Sequence, residues 1–397
     1  MYSWVEDEVE LDHHFRHLAL PEPGRIRELL ALVSRVHANL LDRYRPLWES
    51  YLIEGIEDGR FASYTKVHHS MMDGVAAMRQ MMRAFSSDPD ARDEPAPWAV
   101  RHEGVAEPAD EPGTVESDVA SPVTAGWRAL GGLADGLTSS LGVARAVAEQ
   151  LGRAPFDRSV MAPFEAPPSM LNVKLSGARR FVAQSYDFER IRAVKTALGV
   201  TVNDVVLTMC SGALRTYLRD QGGLPARPLV ALVPVSFRRD DTDAGNAITL
   251  APANLATHLG DLEERLELIR SSMLRVKERL GSLSPTQLVQ YGLVMTAPIL
   301  LGSLTGLAPR MPRPSYNLVI SNVPGPETPL YWNGAEMEGM YPASLLTEGF
   351  AVNITQTSYA GSMEFGITAD RKALPSVQRL IDHLEEALGE LEVVAGT

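Results

Sequence analysis

Cysteine is nearly absent from this chain of 397 residues, since Cys210 is the only one. A single thiol excludes a disulfide framework and fits a reducing, cytoplasmic compartment. The sequence also lacks a His-Glu-x-x-His pair and a Gly-x-Ser-x-Gly elbow. Their absence removes the usual signals for a zinc protease and for an α/β-hydrolase serine. We therefore expect no disulfide, no metal and no nucleophilic serine of that type.

Positive charge is scarce: the chain has 37 lysines and arginines but 50 acidic residues, and its net charge is −13. No basic stripe is present, so nucleic-acid binding is not expected. Residues 1–7 have neither a basic region nor an apolar core, so no signal peptide is predicted. Apolar residues make up 45% of the chain, which excludes a mainly disordered protein and indicates a globular one with a substantial core.

Charge is missing altogether from residues 281–309. Three interpretations fit this segment: a membrane span, a buried core or the wall of an apolar tunnel, and a contact with a membrane surface. Pro298, the glycines and the hydroxyl side chains argue against a span. Burial in a core or along a tunnel is the favoured interpretation. Peripheral contact with a membrane or lipid-droplet surface comes next.

Acidic residues and prolines concentrate between the two halves of the chain. Residues 86–122 contain ten acidic residues, two arginines and six prolines, a composition typical of a linker. We therefore predict an N-terminal domain over residues 1–85, an acidic linker with a helical connector over 86–167, and a C-terminal domain over 168–397. Two α/β domains joined in this way favour a ligand site in a cleft between them.

Apolar periodicity and turn residues predict the secondary structure. Helices are predicted over residues 23–41, 75–85, 191–198, 202–221, 261–280 and 376–391. Strands are predicted over residues 51–53, 61–67, 179–188, 228–235, 316–321, 349–358 and 362–368. Thr201 is the expected N-cap of the helix that follows it, and Asp58-Gly59 is a hairpin-turn signal.

The most informative feature present is the run His68-His69-Ser70-Met71-Met72-Asp73-Gly74, which joins a predicted strand to a predicted helix. Neutral imidazole accepts and returns a proton near pH 7, so a histidine at such a junction is placed to act as a base. Surface histidines are commoner, and the cluster of His13, His14 and His17, which lacks the acid and the glycine, is interpreted as solvated surface. A metal held by the pair is less favoured, because neighbouring strand residues point to opposite faces.

Four further motifs accompany the histidine run. They are Pro46-Leu47-Trp48-Glu49, Asn203-Asp204-Val205-Val206-Leu207, Pro234-Val235-Ser236-Phe237-Arg238, and residues 317–326 with the sequence Asn-Leu-Val-Ile-Ser-Asn-Val-Pro-Gly-Pro. In their order and spacing, the five motifs resemble those of the bacterial wax ester synthase/diacylglycerol acyltransferase family. The resemblance implies an α/β (α+β) fold of the two-domain chloramphenicol-acetyltransferase-like CoA-dependent acyltransferases, with mixed sheets and an interdomain cleft.

The resemblance also implies the chemistry. His69 would be the general base that removes the hydroxyl proton of an alcohol as its oxygen attacks a long-chain acyl-CoA, with no covalent acyl-enzyme. His68 would contribute secondarily or shape the loop, Asp73 would support the loop by pairing with an arginine, and Gly74 completes the motif. Acyl-CoA would be a co-substrate, and no cofactor is expected. The acceptor would be diacylglycerol, a long-chain alcohol or both, giving triacylglycerol or wax ester.

Four residues outside the run are candidates for substrate binding. Asn203 and Asp204 begin a predicted helix, where capping the helix is as good an interpretation as contact with substrate. Trp48 would lie in the core or along the substrate path. Ser358, near the end of a predicted strand, is an oxyanion donor suggested by the wider superfamily.

Two other functions remain open at this stage. One is acyl transfer to a different alcohol or to an amine, and the other is lipid binding without catalysis. Family members usually carry an additional N-terminal segment with a Ser-Pro-x-Asp sequence and a first strand and helix. The resemblance therefore implies that this chain begins after that segment.

Overall fold

The computed structural model of the chain describes residues 9–72, 74–99, 159, 161, 164–237, 247–281, 283–306 and 313–397. They form two compact units. The first unit holds the described part of residues 9–99 together with Gly325–Gly339, and the second unit holds the described residues of 159–324 and 340–397. Gly325–Gly339 thus lies in the first unit, although the sequence placed it within 168–397. The domain boundaries 1–85, 86–167 and 168–397 otherwise stay a prediction.

The elements of the described residues follow one another in chain order. The strands are β1 (Phe15–Ala19), β2 (Trp48–Ile56), β3 (Arg60–Val67), β4 (Arg179–Asp187), β5 (Val230–Phe237), β6 (Ala247–Asn254), β7 (Leu318–Val323), β8 (Tyr331–Trp332), β9 (Ala335–Glu336), β10 (Val352–Tyr359) and β11 (Ser362–Asp370). The α-helices are α1 (Leu11–His14), α2 (Ile26–Ala38), α3 (Gly74–Ala84), α4 (Phe188–Leu198), α5 (Val202–Asp220), α6 (Leu262–Gly281), α7 (Pro285–Thr305) and α8 (Arg379–Ala395).

The first unit is built on a three-stranded sheet in the order β1-β2-β3. Strand β1 runs parallel to β2, and β2 runs antiparallel to β3. The turn between β2 and β3 contains Asp58 and Gly59, both with positive φ (66° and 71°), which is the conformation that Asp-Gly hairpins favour. The hairpin predicted from this dipeptide is therefore confirmed.

The second unit is built on a mixed six-stranded sheet in the order β4-β11-β10-β7-β5-β6. Its inner strands β10 and β7 run parallel, whereas β11 is antiparallel to both β10 and β4. Apolar side chains of these strands form one continuous core with those of helices α4, α5, α6 and α8. The expected α/β fold with mixed sheets is confirmed.

Helix α5 is the central helix of this core. Thr201 caps it as predicted: its hydroxyl oxygen accepts a hydrogen bond from the backbone N–H of Asp204, and the Asp204 carboxylate accepts one from the backbone N–H of Thr201. Satisfying the free N–H groups of a first turn in this way stabilises a helix by about 1 kcal/mol. The structure thus fixes where α5 begins.

Pro285–Thr305 of the charge-free segment form helix α7. Leu288, Tyr291 and Met295 are buried in the core of the second unit, and the Thr249 hydroxyl donates a hydrogen bond to the backbone oxygen of Leu288 (2.8 Å). This packing supports the favoured interpretation of the segment as core. Among the described residues no single helix is long and apolar enough to cross a membrane; only α4 and α5 taken together, bent by 106°, have the length and composition.

Part of the predicted linker packs on the first unit. The Trp98 ring lies 4.9 Å from that of Phe15, and Gln80 donates a hydrogen bond to the backbone oxygen of Pro97. Ser86 forms a β-bridge with Tyr331. Residues 86–99 therefore belong structurally to the first unit, and residues 101–158 lie outside the described part of the chain.

Candidate active site

The histidine run begins where β3 ends. The His68 backbone N–H donates to the backbone oxygen of Leu47 (2.9 Å), and that of Met71 donates to the backbone oxygen of His68 (2.9 Å), which closes a turn. Helix α3 starts at Gly74. The structure thus brings His68, His69 and Gly74 together at a strand-to-helix junction, as predicted. Asp73 lies outside the described residues.

The ring of His69 is held by the main chain of its own loop. Its Nδ1 lies 3.1 Å from the backbone oxygen of Met72. A carbonyl oxygen can only accept a hydrogen bond, so Nδ1 must carry the proton in the neutral ring. Its Nε2 then has a free lone pair, and the side chain is exposed. This arrangement allows His69 to accept a proton at Nε2.

The neighbouring ring of His68 has the opposite arrangement. The backbone N–H of Ser70 donates to Nδ1 of His68 (3.1 Å), and the Ser70 hydroxyl lies 2.7 Å from the same nitrogen. Nδ1 is therefore an acceptor, and the ring proton belongs on Nε2. Desolvation lowers the pKa of His68, and the nearby charge of Arg43 lowers it further, which favours the neutral ring. In that neutral ring His68 can donate only at Nε2.

The sequence did not identify the groups that distinguish the two histidines. The acceptor for His69 is a backbone oxygen, which no side-chain pattern reveals. Ser70 is a signal that could have been used, because a serine side chain forms local hydrogen bonds and its hydroxyl can reach the ring of a histidine two residues earlier. Among the described residues, no three His, Cys, Asp or Glu side chains gather as a metal site would require.

Trp48 lies in an aromatic cluster of the first unit. Its ring stacks on that of His14 at 4.6 Å and faces that of Trp98 at 6.0 Å. The His14 Nδ1 donates a hydrogen bond to the backbone oxygen of Trp48 (2.7 Å). His14 is only 1% exposed, so interpreting its cluster as solvated surface was wrong for this residue. The cluster favours the structural interpretation of Trp48, and its role in substrate binding stays a prediction.

Glu49, the next residue of the same motif, ties the three strands of the first sheet together. Its carboxylate is buried, lies 3.3 Å from Arg16 and 3.4 Å from Lys66, and accepts a hydrogen bond from Tyr51 (2.6 Å). Burial acts to raise the pKa of Glu49, but the Tyr51 hydrogen bond and the two positive charges outweigh it and hold the pKa below its usual value. The Pro-Leu-Trp-Glu motif is thus a structural part of the first unit.

The remaining candidate residues belong to the second unit. Asp204 is buried, and its carboxylate is used in the cap of α5, which favours the capping interpretation for this residue. Asn203 is half-buried in the same first turn. Ser358 is the penultimate residue of β10, opposite Met363 of β11, so it does lie near a strand end. Substrate contact by these residues remains a prediction.

A solved structure of low identity shares the fold. The condensation domain of the CDA synthetase matches 96% of this chain and 74% of its own with a TM-score of 0.52 and 17% identity. This likeness concerns the fold alone. Together with the histidine run it defines the class: an α/β protein with the fold of condensation domains and CoA-dependent acyltransferases.

More similar proteins identify the family. Residues 1–206 match the family model "Wax ester synthase/diacylglycerol acyltransferase catalytic domain", and residues 244–392 match "WS/DGAT C-terminal domain". The O-acyltransferase WSD of Acinetobacter baylyi is 45% identical over 98% of this chain and 83% of its own length. A probable diacylglycerol O-acyltransferase of Mycobacterium tuberculosis, tgs2, is 44% identical over 99% and 84%.

The fold of one family member is known from a solved structure. The wax ester synthase/diacylglycerol acyltransferase from Marinobacter aquaeolei VT8 is 44% identical, with a TM-score of 0.75 over 99% of this chain and 83% of that one. The chain belongs to the wax ester synthase/diacylglycerol acyltransferase family. It is therefore an acyltransferase by family, as the motifs predicted.

Proposed function

We propose that the protein transfers a long-chain acyl group from acyl-CoA to diacylglycerol, to a long-chain alcohol or to both. The products are triacylglycerol or wax ester. The names of its relatives support this chemistry, and the observation that carries it is the ring of His69. With Nδ1–H donating to the Met72 backbone oxygen, Nε2 is free to act as the general base.

The reaction balances without a cofactor. Nε2 of His69 takes the proton of the acceptor's hydroxyl group. At the same time the hydroxyl oxygen attacks the carbonyl carbon of the thioester and forms the new C–O bond. The tetrahedral oxyanion then collapses and breaks the C–S bond. The departing CoA sulfur receives the proton from His69. Acyl-CoA is a co-substrate in this scheme, and Ser358 is our candidate donor to the oxyanion.

Direct transfer agrees with the state of the thiol. Cys210 is buried in the core of the second unit, and burial raises its pKa to about 12. A thiol in this environment does not form the thiolate that an acyl-cysteine intermediate would need. The single thiol also supports a cytoplasmic location, and the insolubility of the acceptors supports peripheral work at a membrane or lipid-droplet surface.

Labelled palmitoyl-CoA tests the proposal with three acceptors: dioleoylglycerol, hexadecanol and hexadecylamine. We expect ester products from the first two, and a fall of about 10²–10⁴-fold in turnover for His69→Ala. His68→Ala is the matched control and should lose much less. Circular dichroism verifies that both variants are folded.

Three results would contradict parts of this proposal. Undiminished turnover in His69→Ala would overturn the assignment of the base. Formation of the amide as the only product would show that the protein transfers acyl groups to amines instead. Absence of product with every acceptor, together with binding of palmitoyl-CoA, would indicate lipid binding without catalysis.

A further inference from the structure

We propose that the loop from Asn39 to Leu47, here called the 39–47 loop, inserts its tip into an anionic phospholipid surface and holds the histidine pair against it. The loop connects α2 to β2 in the first unit. The consequence for turnover rests on the proposed acyl transfer to a lipid acceptor. The binding itself does not, so the two can be tested apart.

The tip of this loop is apolar and projects into solvent. Tyr44 is 97% exposed and Leu40 is 91% exposed, more than any other large apolar side chain that the structure describes. Two such side chains within five residues form a local apolar point, with the exposed Asp42 and Arg43 between them. Tyrosine favours the headgroup level of a bilayer, and leucine favours the acyl chains beneath it.

The loop is fixed rather than free, and its two ends are attached to the segment that carries the histidines. At one end, Nζ of Lys66 donates to the backbone oxygen of Asn39 (3.1 Å). At the other, the backbone N–H of His68 donates to the backbone oxygen of Leu47 (2.9 Å). Lys66 and His68 bracket the end of β3. A surface that receives the tip therefore lies beside the base.

Internal contacts hold the tip in its projecting position. The carboxylate of Asp42 accepts a hydrogen bond from the backbone N–H of Tyr44 (2.9 Å). Arg45 forms an ion pair with Glu10 and lies 3.8 Å from Asp42. These contacts use the polar groups of the loop but leave Leu40 and Tyr44 outside. The loop therefore holds both side chains in solvent.

The charge of the tip matches an anionic surface. Arg43 is exposed, and among the residues that the structure describes it forms no ion pair. Its charge is close enough to lower the pKa of His68, and only the effect of burial on that pKa is larger. Because the whole chain carries −13, long-range attraction to anionic lipid is unfavourable. An exposed arginine at the contact point supplies the local attraction that is needed.

A lipid surface fits this tip better than a protein partner does. A stable protein interface buries about 800 Å² on each side, which a projecting loop with two apolar side chains cannot provide. Association with a lipid surface grows with the apolar area that is buried and with the attraction of positive charge to anionic lipid, and this tip offers both. The acceptors of the proposed reaction also reside in such a layer.

Sedimentation of the full chain with phospholipid vesicles tests the insertion. The vesicles contain phosphatidylcholine with phosphatidylglycerol. We expect the double variant Leu40→Asp/Tyr44→Asp to lower the partition coefficient at least tenfold. Val393→Asp is the matched control, because Val393 is 82% exposed but lies on α8 of the second unit, and its partition should equal that of the parent chain. A partition coefficient of the double variant equal to that of the parent chain would overturn the proposal. Failure of the parent chain to bind vesicles would also overturn it and would point to a protein partner.

The contribution of charge is tested with Arg43→Gln. This variant should lose the preference for vesicles with phosphatidylglycerol over vesicles of phosphatidylcholine alone, and its binding should no longer weaken as salt rises. Arg371→Gln is the control, since Arg371 is an exposed arginine of the second unit. An unchanged preference in Arg43→Gln would contradict the role of the arginine.

A last comparison separates this inference from the proposed reaction. His69→Ala should bind vesicles as the parent chain does, whatever its turnover. In the double loop variant, the ratio of turnover with vesicle-borne dioleoylglycerol to turnover with detergent-dispersed hexadecanol should fall at least fivefold. Loss of vesicle binding with an unchanged ratio would overturn the link between the loop and the acceptor.

Discussion

At the scale of single residues, the two adjacent histidines are distinguished by main-chain atoms. His69 donates to the Met72 backbone oxygen, and His68 accepts from the Ser70 backbone N–H. One neutral ring therefore presents a lone pair at Nε2, and the other presents a proton. The motif predicted a base at this place, but which ring has the free Nε2 depends on the turn that the chain makes there.

Glu49 is the residue where we expect charge to matter most for stability. Removing one partner of a buried ion pair costs about 3–5 kcal/mol. We expect Glu49→Gln to lower the free energy of unfolding by about 3 kcal/mol at neutral pH, the lower end of this range, because Lys66 keeps its hydrogen bonds to two backbone oxygens. The folded-state pKa of Glu49 is lowered, so its contribution is present above the usual carboxyl pKa and is lost as the pH falls through the lowered value.

Urea unfolding across the acidic range measures this contribution. The free energies of unfolding of the parent chain and Glu49→Gln should differ near pH 7 and converge as the pH falls. Glu54→Gln, on the same strand but exposed, is the control and should change stability by less than about 0.5 kcal/mol. A difference that stays constant down to acid pH would show that the charge of Glu49 is not the cause.

At the scale of elements, two helical glycines look alike in the sequence but differ in their surroundings. Gly389 of α8 has open space where a Cβ would be, whereas a Cβ on Gly212 of α5 would lie 2.9 Å from that of Ala387 on α8. Gly389→Ala should raise the free energy of unfolding by about 0.5–1 kcal/mol through helix propensity alone. Gly212→Ala should lower it, because overpacking costs about 1–3 kcal/mol.

Thermal or urea unfolding of the two variants compares these effects directly. Because both changes are Gly→Ala within a helix, each is the control for the other. If both variants gained stability, the close approach of α5 to α8 would be disproved.

Besides the two-residue strands β8 and β9, strands β1 and β6 were missed by the sequence analysis, each for a physical reason. Strand β1 has the sequence Phe-Arg-His-Leu-Ala and is too short and polar to show an alternating pattern; it is defined by its pairing with β2. Strand β6 contains Pro252 and lies at the edge of the second sheet, where a missing N–H is tolerated. Pairing partners supply what local pattern lacks in both cases.

At the scale of the whole molecule, Cys210 reports on the integrity of the second unit. It is the only thiol in the sequence, it is fully buried, and its pKa is raised to about 12 by burial. Reaction with a thiol reagent therefore requires the core to open. We expect no labelling of the native protein, and one label per chain at the urea concentrations that unfold the second unit.

Mass spectrometry after timed labelling measures this opening. The midpoint should coincide with the loss of helical circular dichroism, because Cys210 lies in the middle of α5. Rapid labelling in the absence of urea would contradict a closed core around α5. It would also reopen the question of a covalent acyl-enzyme.

From the amino-acid sequence we could predict the family, the place of the histidine run, the cap of α5 at Thr201 and most of the helices and strands. These depend on local patterns: apolar periodicity, turn residues and short motifs. The folded structure was needed to show which ring of the histidine pair has a free Nε2, that Glu49 binds residues of β1 and β3, and that charge-free helix α7 packs on a core. It also placed Leu40 and Tyr44 in solvent, on a loop whose ends hydrogen-bond to Lys66 and His68. Those outcomes depend on backbone atoms and on residues distant in sequence, which meet only when the chain has folded.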